Sequence, residues 1–154
     1  MKLLVISDIH GLATYAEEMI AREQPDEVVF LGDGLRYIKE SAGRFGNVHF
    51  HFVQGNCDFG GEPEEQCLRM GGQTVFFTHG HHYNVKWEKE LAYVTLRAKA
   101  AEVGADIVLF GHTHQPDLVY RDGRIIMNPG AVMARQYGVM TVDGDTVKPQ
   151  LKNL

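Results

Sequence analysis

Seven residues of metal-ligand type occupy five short motifs, and each motif follows an apolar run. In chain order, LLVIS precedes Asp8-Ile9-His10, VVFL precedes Gly32-Asp33, and FHFVQ precedes Gly55-Asn56-Cys57-Asp58. VFFT then precedes His79-Gly80-His81, and IVLF precedes Gly111-His112-Thr113-His114. A short apolar run closed by glycine and polar residues is the pattern of a buried strand. Open α/β sheets build their sites just beyond the carboxyl ends of strands. Five repeats of this punctuation predict one site assembled from five strand ends.

Taken singly, most motifs have ordinary readings: Asp-x-His as a turn or capping group, Gly-Asp as a βα turn, Gly-Asn as a turn dipeptide. Gly111-His112-Thr113-His114 is the strongest, because two histidines flanking one small residue have little structural reason to end a strand. The combination carries the argument: four of the eight histidines fall in these ligand positions. Asp, His and Asn together form the mixed N/O donor set of Mn²⁺, Fe or Zn²⁺ rather than of Ca²⁺ or a thiolate-bound metal. Seven donors are too many for one tetrahedral ion and suit two ions that share a carboxylate. Two ions about 3.5–4 Å apart can activate a bridging hydroxide and clamp a phosphoryl oxygen for in-line attack. No protein nucleophile is then needed, and the chain shows no convincing Ser-His-Asp or Cys-His arrangement.

The elements that must position these residues are legible in outline. Residues 2–7 read as a strand apolar on both faces. Thr14 and Glu17 have capping-box spacing and open an amphipathic stretch to about Gln24, which Pro25-Asp26 breaks. Strand 27–31 completes a βαβ-type opening with a parallel sheet. Segment 35–44 reads as a short helix ending near Gly43, and strand 48–53 puts His49 and His51 on its more polar face, opposite Phe50 and Phe52. Runs 66–70 and 73–78 flank Gly71-Gly72 as a hairpin, with Cys67 as a packing residue. Residues 85–102 carry Trp87, Leu91, Val94, Ala98 and Ala101 at helical spacing, which predicts the second main helix with Trp87 in the core. Gly104 closes it before strand 106–110. Asp122-Gly123 separates 117–121 from 124–128, and Asp143-Gly144 separates 138–142 from 145–149, with Pro149 marking an edge strand. The pattern is an α/β chain with a parallel first half and a hairpin-rich second half. It leaves open one mixed sheet or two packed sheets.

The chain has 154 residues, which fits one domain over 1–154. Apolar residues make up 44% and charged residues 23%, as expected of a soluble globular protein. The first apolar stretch is too short for a signal-peptide core, no run approaches the roughly 18 residues of a membrane span, and a cytoplasmic location is expected. The two cysteines do not imply an oxidising compartment. A net charge of −5 argues against a nucleic-acid surface. It leaves room for a phosphate substrate, because two bound ions would dominate the local field.

The series D-x-H, G-D, G-N-C-D, H-G-H, G-H-T-H resembles the calcineurin-like metallophosphoesterase superfamily, and within it the small YfcE-like phosphodiesterase branch. The likeness runs from Asp8 to about Gly130 and extends to Asn128-Pro129-Gly130, although Ala131 stands where Ser is common in that branch. It implies a four-layer α/β/β/α sandwich with two mixed sheets and a binuclear metal-dependent phosphodiesterase. It implies two divalent ions, Mn²⁺ first, with Fe, Zn or Ni as alternatives, and a small phosphodiester substrate. Carried over by position, Asp8, His10 and His114 hold one ion, Asn56, His79 and His112 hold the other, and Asp33 bridges. Larger members place a proton-donating His directly after the Asn. Here Cys57 occupies that position, and a neutral thiol, with an ordinary pKa of about 8.5, is a poor general acid. His81 is the next candidate, with a supporting or surface histidine as its equal alternative; His82 and Arg36 read as solvated.

Two other functions stay in view. A retromer scaffold subunit resembles the same fold and serves as a protein-binding module. A nuclease would use the same chemistry but would need a basic stripe. Edge strands in the hairpin-rich half leave a homo-oligomer open.

Overall fold

Strand β1 (Lys2–Ile6) is buried on both faces because it lies at the centre of one of two stacked sheets. In the computed structural model, which describes residues 1–11 and 13–154, Leu3 and Val5 point between the sheets while Leu4 and Ile6 point beneath helices. Around β1 run β2 (Glu27–Phe30), β3 (His49–Phe52), β9 (Gln136–Asp143) and β10 (Thr146–Asn153), in the order β10-β9-β1-β2-β3. β1, β2 and β3 are parallel, and β9 joins β1 antiparallel. The second sheet contains β4 (Glu65–Met70), β5 (Gln73–Thr78), β6 (Ile107–Leu109), β7 (Asp117–Arg121) and β8 (Arg124–Asn128), in the order β4-β5-β6-β8-β7. β5, β6 and β8 are parallel, and β4 and β7 are antiparallel edges.

Helices α1 (Thr14–Glu23) and α2 (Leu35–Ala42) cover the first sheet through Met19, Ile20 and Ile38. Helix α3 (Val94–Val103) covers the second sheet through Leu96 and Ala100, against Phe76, Val108 and Phe110. A third cluster, including Val29, Leu31, Phe77, Leu109 and Met140, fills the space between the sheets. The result is the four-layer α/β/β/α sandwich with two mixed sheets. Among the described residues no helix is long and apolar enough to cross a membrane.

Five local expectations are corrected. The capping box does not form: Thr14 is already helical, and Glu17 accepts instead from Ser41 Oγ and Arg44 Nη1, each at 2.6 Å, tying α1 to α2. The helix expected over 85–102 begins only at Val94. Ala92 and Tyr93 adopt φ of 49° and 56°, which no helix accommodates. The cause is Tyr93, which is buried against Phe110 with ring centroids 4.6 Å apart and donates its hydroxyl to Asp117. Glu88 then caps the restarted helix, accepting from Thr95 N at 2.9 Å and Thr95 Oγ1 at 2.6 Å. Trp87 is left 84% exposed rather than in the core. Cys67 is exposed as well, on the outer face of edge strand β4. The last hairpin turns one residue later than expected, through Gly144-Asp145, because Asp143 still pairs with Thr146. Pro149 does lie on an edge strand.

One buried charge locks α1 to the end of the chain. Glu23 receives Lys2 Nζ at 2.8 Å, Lys152 Nζ at 2.5 Å and the Tyr137 hydroxyl at 2.7 Å. Burial alone would raise its pKa. The two ammonium groups and the hydroxyl outweigh burial and take it from 4.5 down to about 2. A carboxylate depressed in this way stabilises the fold fully above its unfolded value and loses that contribution as pH falls through the folded value. Glu23→Ala is therefore expected to lower unfolding free energy by about 3 kcal/mol at pH 7. Urea denaturation of both proteins checks this, and the difference should shrink between pH 4.5 and about 2.

Candidate metal centre

The carboxyl ends of β1, β2 and β3 in one sheet meet those of β5 and β6 in the other at the same end of the sandwich. Three motif loops come from the first sheet and two from the second, so the loops face one another across the inter-sheet core. The backbone there is unusual. Asp8, His10, Asp33, His112 and His114 all take φ between 46° and 70°, a left-handed region that non-glycine residues rarely enter. Such backbone tends to collect at functional sites, where the surrounding structure over-determines it.

Six of the seven expected ligands converge. Asp8 Oδ1 lies 3.5 Å from His10 Nε2, 3.2 Å from His114 Nε2 and 4.0 Å from His79 Nε2. Asp33 Oδ2 lies 3.2 Å from His79 Nε2 and 3.5 Å from His10 Nε2. His112 Nδ1 is 3.2 Å from His79 Nε2. Asp8 with His10 and His114, and Asp8 with Asp33 and His79, are each close enough to hold an ion. The seventh residue, Asn56, is exposed at the rim, where its amide donates to Cys57 Sγ at 3.6 Å.

The donors are held by neighbours. Asp8 Oδ2 accepts from Ser7 Oγ at 2.6 Å and from His112 N at 3.2 Å, which leaves Oδ1 facing the imidazoles. That Oδ1 is buried without a hydrogen-bond partner among the described residues. A buried orphan carboxylate oxygen is costly unless something positive completes it. His79 Nδ1 donates to Leu31 O at 2.7 Å, which leaves Nε2 as the ring nitrogen that faces Asp33. The field is strongly negative. Burial would lower the His79 pKa, yet the Asp33 and Asp8 carboxylates raise it. Burial would raise the Asp33 pKa, yet His79 holds it well below the usual carboxylate range. His112, farther from the carboxylates, is lowered to about 4 by burial and the charges on His79, Lys86 and His81. These residues fit a divalent cation: two carboxylates and four imidazole rings turn their donor atoms toward one another, and Asp8 Oδ1 lacks a hydrogen-bond partner among the described residues.

Two polar residues outside the expected ligand set, half-buried Asp58 and buried Asn128, hold the loops. Asp58 accepts four backbone N–H groups: Asp33 N and Gly55 N at 2.8 Å on Oδ2, and Gly34 N and Leu35 N at 3.0 Å on Oδ1. It clamps the β2 and β3 loops together and supplies the N-cap that Gly34 cannot give α2. Asn128 is fully buried and donates to Gly111 O at 3.1 Å and Thr113 Oγ1 at 2.8 Å, while its Oδ1 accepts from Gly130 N at 2.9 Å. The Asn-Pro-Gly turn therefore braces the His112 and His114 loop.

Glycine is required where these loops touch. A Cβ on Gly55 would lie 2.1 Å from Asp33 Oδ1 and 2.7 Å from Asp33 N. Gly55→Ala must displace Asp33, so it is expected to cost about 2 kcal/mol of stability and more than tenfold in kcat/KM, read by urea denaturation and by turnover of an aryl phosphodiester.

Cys57 and His81 flank the centre. Cys57 N donates to Asp33 Oδ1 at 2.8 Å, and its thiol lies near His10 and Asp33. Desolvation and the Asp33, Asp58 and Asp8 carboxylates push the thiol pKa up. His81 stands 5.5 Å from His79 between ring centroids, stacks on His82 at 4.0 Å and has Glu64 Oε2 at 3.9 Å from its Nε2. Burial, with the neighbouring His82 and His79, lowers its pKa.

Residues 1–146 match the model of the calcineurin-like phosphoesterase superfamily domain. The chain is 30% identical over 154 residues to the probable metallophosphoesterase YsnB of Bacillus subtilis, covering 94% of this chain and 86% of that one. It is 29% identical over 158 residues to the phosphodiesterase YfcE of Escherichia coli K12, covering 86% of this chain and 79% of that one. Among solved structures, Vacuolar Protein Sorting 29 of Cryptosporidium parvum matches with a TM-score of 0.81 at 18% identity, covering 99% of this chain and 91% of that one; that is a likeness of fold.

Proposed function

From the premise that this chain belongs to the calcineurin-like phosphoesterase superfamily, we propose that it is a phosphodiesterase dependent on two divalent ions, Mn²⁺ first among them. The observation that carries this is the anionic cluster around Asp8 and Asp33, where Asp8 Oδ1 is buried among the imidazoles of His10, His79 and His114 with no hydrogen-bond partner among the described residues. Asp8, His10 and His114 would hold one ion, His79 and His112 the other, and Asp33 both. Asn56 would complete the second set through its amide oxygen, after turning away from Cys57. When bound, the ions supply an activated water and neutralise charge on the phosphoryl oxygens.

The chain's own contribution is positioning. Asp58, Asn128 and Leu31 O fix the loops and the His79 tautomer. Among the described residues, the candidate proton donors flanking the centre are the Cys57 thiol and His81, which lies between His79 and His82. Esters of acidic alcohols are therefore the favoured substrates. The name of the YfcE relative supports a diester. We place this activity in the cytoplasm, in one domain spanning the chain.

The scaffold alternative draws on the likeness to Vacuolar Protein Sorting 29 and on the exposed apolar side chains of Trp87, Leu91 and Val94. Turnover separates the two. The metallophosphoesterase should hydrolyse bis(p-nitrophenyl) phosphate in Mn²⁺, faster than p-nitrophenyl phosphate, and lose activity to a chelator. Protein that binds metal but hydrolyses neither ester would favour the scaffold.

A further inference from the structure

Glu64, His81 and His82 form a further group of metal-ligand side chains, beside the centre described above. Two anchored segments bring them together. Glu65 pairs with Thr78 at the end of the β4–β5 ladder, and Thr78 Oγ1 donates to Glu64 O at 3.0 Å, which sets Glu64 beside the chain leaving β5. That chain turns at once. Tyr83 N donates to Gly80 O at 3.0 Å, so His81 and His82 are the two central residues of the turn. Tyr83 fixes the far side: its ring meets Phe76 edge-on at 6.1 Å between centroids, and its hydroxyl donates to Glu65 Oε2 at 2.6 Å. Glu65 is thereby engaged, while Glu64 faces the histidines.

One carboxylate oxygen faces both rings. Glu64 Oε2 lies 2.6 Å from His82 Nε2 and 3.9 Å from His81 Nε2, and the ring centroids are 4.0 Å apart. The His82 contact by itself is an ordinary ion pair. His81 is not explained by one. Its Nδ1 is buried without a hydrogen-bond partner among the described residues, and 3.9 Å is too long for a hydrogen bond from Nε2. Bonds of about 2.0–2.2 Å put the ligand atoms of a tetrahedral zinc about 3.3 Å apart. The two distances from Glu64 bracket that value, so shifts of under about 1 Å would close the set. Glu64 and His82, with side chains 45% and 62% exposed, are free to make them.

We propose that Glu64, His81 and His82 form a third metal site, separate from the binuclear centre, that takes one Zn²⁺ with water in the fourth position. Two imidazoles, one carboxylate and a water are an established ligand set for zinc. Mn²⁺ binds such donors least tightly among the first-row divalent ions, so a three-ligand surface site holds Zn²⁺ in preference to Mn²⁺. The site does not depend on whether the centre hydrolyses phosphodiesters. It gives His81, whose ring centroid is 5.5 Å from that of His79, a task other than proton donation, because a ring nitrogen bound to zinc cannot also carry the proton.

The test is equilibrium dialysis of Mn²⁺-loaded protein against Zn²⁺, with total bound metal, manganese plus zinc, counted per chain. Zinc that exchanges into the binuclear centre leaves the total there unchanged, so the difference between proteins reports the third site. The wild type is expected to hold one more ion per chain than Glu64→Ala and one more than His82→Ala. Both side chains are exposed, so both variants should keep the wild-type fold. An equal count in the wild type and either variant overturns the proposal. A fall of more than one ion also overturns it, because these residues would then be acting on the binuclear centre. Failure of the binuclear reading looks different: the wild type would hold a single ion and the variants none.

Discussion

Asp33→Asn is expected to lower kcat/KM by about a thousandfold, roughly 4 kcal/mol of transition-state stabilisation, and to reduce bound metal below two ions per chain. Asp33 Oδ1 is committed to Cys57 N at 2.8 Å, and Oδ2 faces the Nε2 atoms of His79 and His10. Asparagine has nearly the same shape and keeps the first bond. It replaces the second oxygen, and the negative charge, with a neutral group; if the amide nitrogen takes that position, it points hydrogens at nitrogens that should offer lone pairs to metal. The fold should therefore survive while the centre fails, which separates chemistry from stability. Metal analysis and aryl diester turnover on one preparation check it; both intact would remove Asp33 from the bridging role.

Asp58→Ala is expected to be nearly as damaging by another route. Its carboxylate satisfies backbone donors of Asp33, Gly34, Leu35 and Gly55. Removing it leaves several of them short of an acceptor, at about 1–3 kcal/mol for each that water cannot reach. A net loss of about 3 kcal/mol and a hundredfold fall in turnover are expected, because the freed loop carries Asp33. Asp58→Asn keeps one acceptor oxygen and should fall between. Denaturation curves and turnover of the three proteins, in the order wild type, Asn, Ala, check the ranking.

The contrast between these residues shows what a sequence can display. Asp33 was visible because it ends an apolar run, and the same rhythm marked Asp8, His79 and the His112-Thr113-His114 triplet. Buried strands must be apolar, and the polar residue that follows them stands out. Asp58 sat in plain view in Gly-Asn-Cys-Asp, yet three of its four partners lie 23–25 residues upstream, and no local pattern reports such a pairing. Asn128 shows in the sequence only as part of a turn motif, and its bracing of Gly111 and Thr113 is likewise long-range. The parallel opening was legible from βαβ spacing. That β9 returns to flank β1, pairing Lys2 with Thr141, was not. The over-long helix at 85–102 has a similar cause: apolar spacing alone cannot reveal that Tyr93 is pulled into the core and breaks the helix at a left-handed turn.

The most direct test of the account is a Mn²⁺ titration of metal-free protein, with bound ions counted and bis(p-nitrophenyl) phosphate hydrolysis followed on the same samples. Two ions per chain are predicted, with hydrolysis appearing as the second site fills. Protein that binds no divalent ion, or binds two and hydrolyses neither a phosphodiester nor a phosphomonoester, would contradict it.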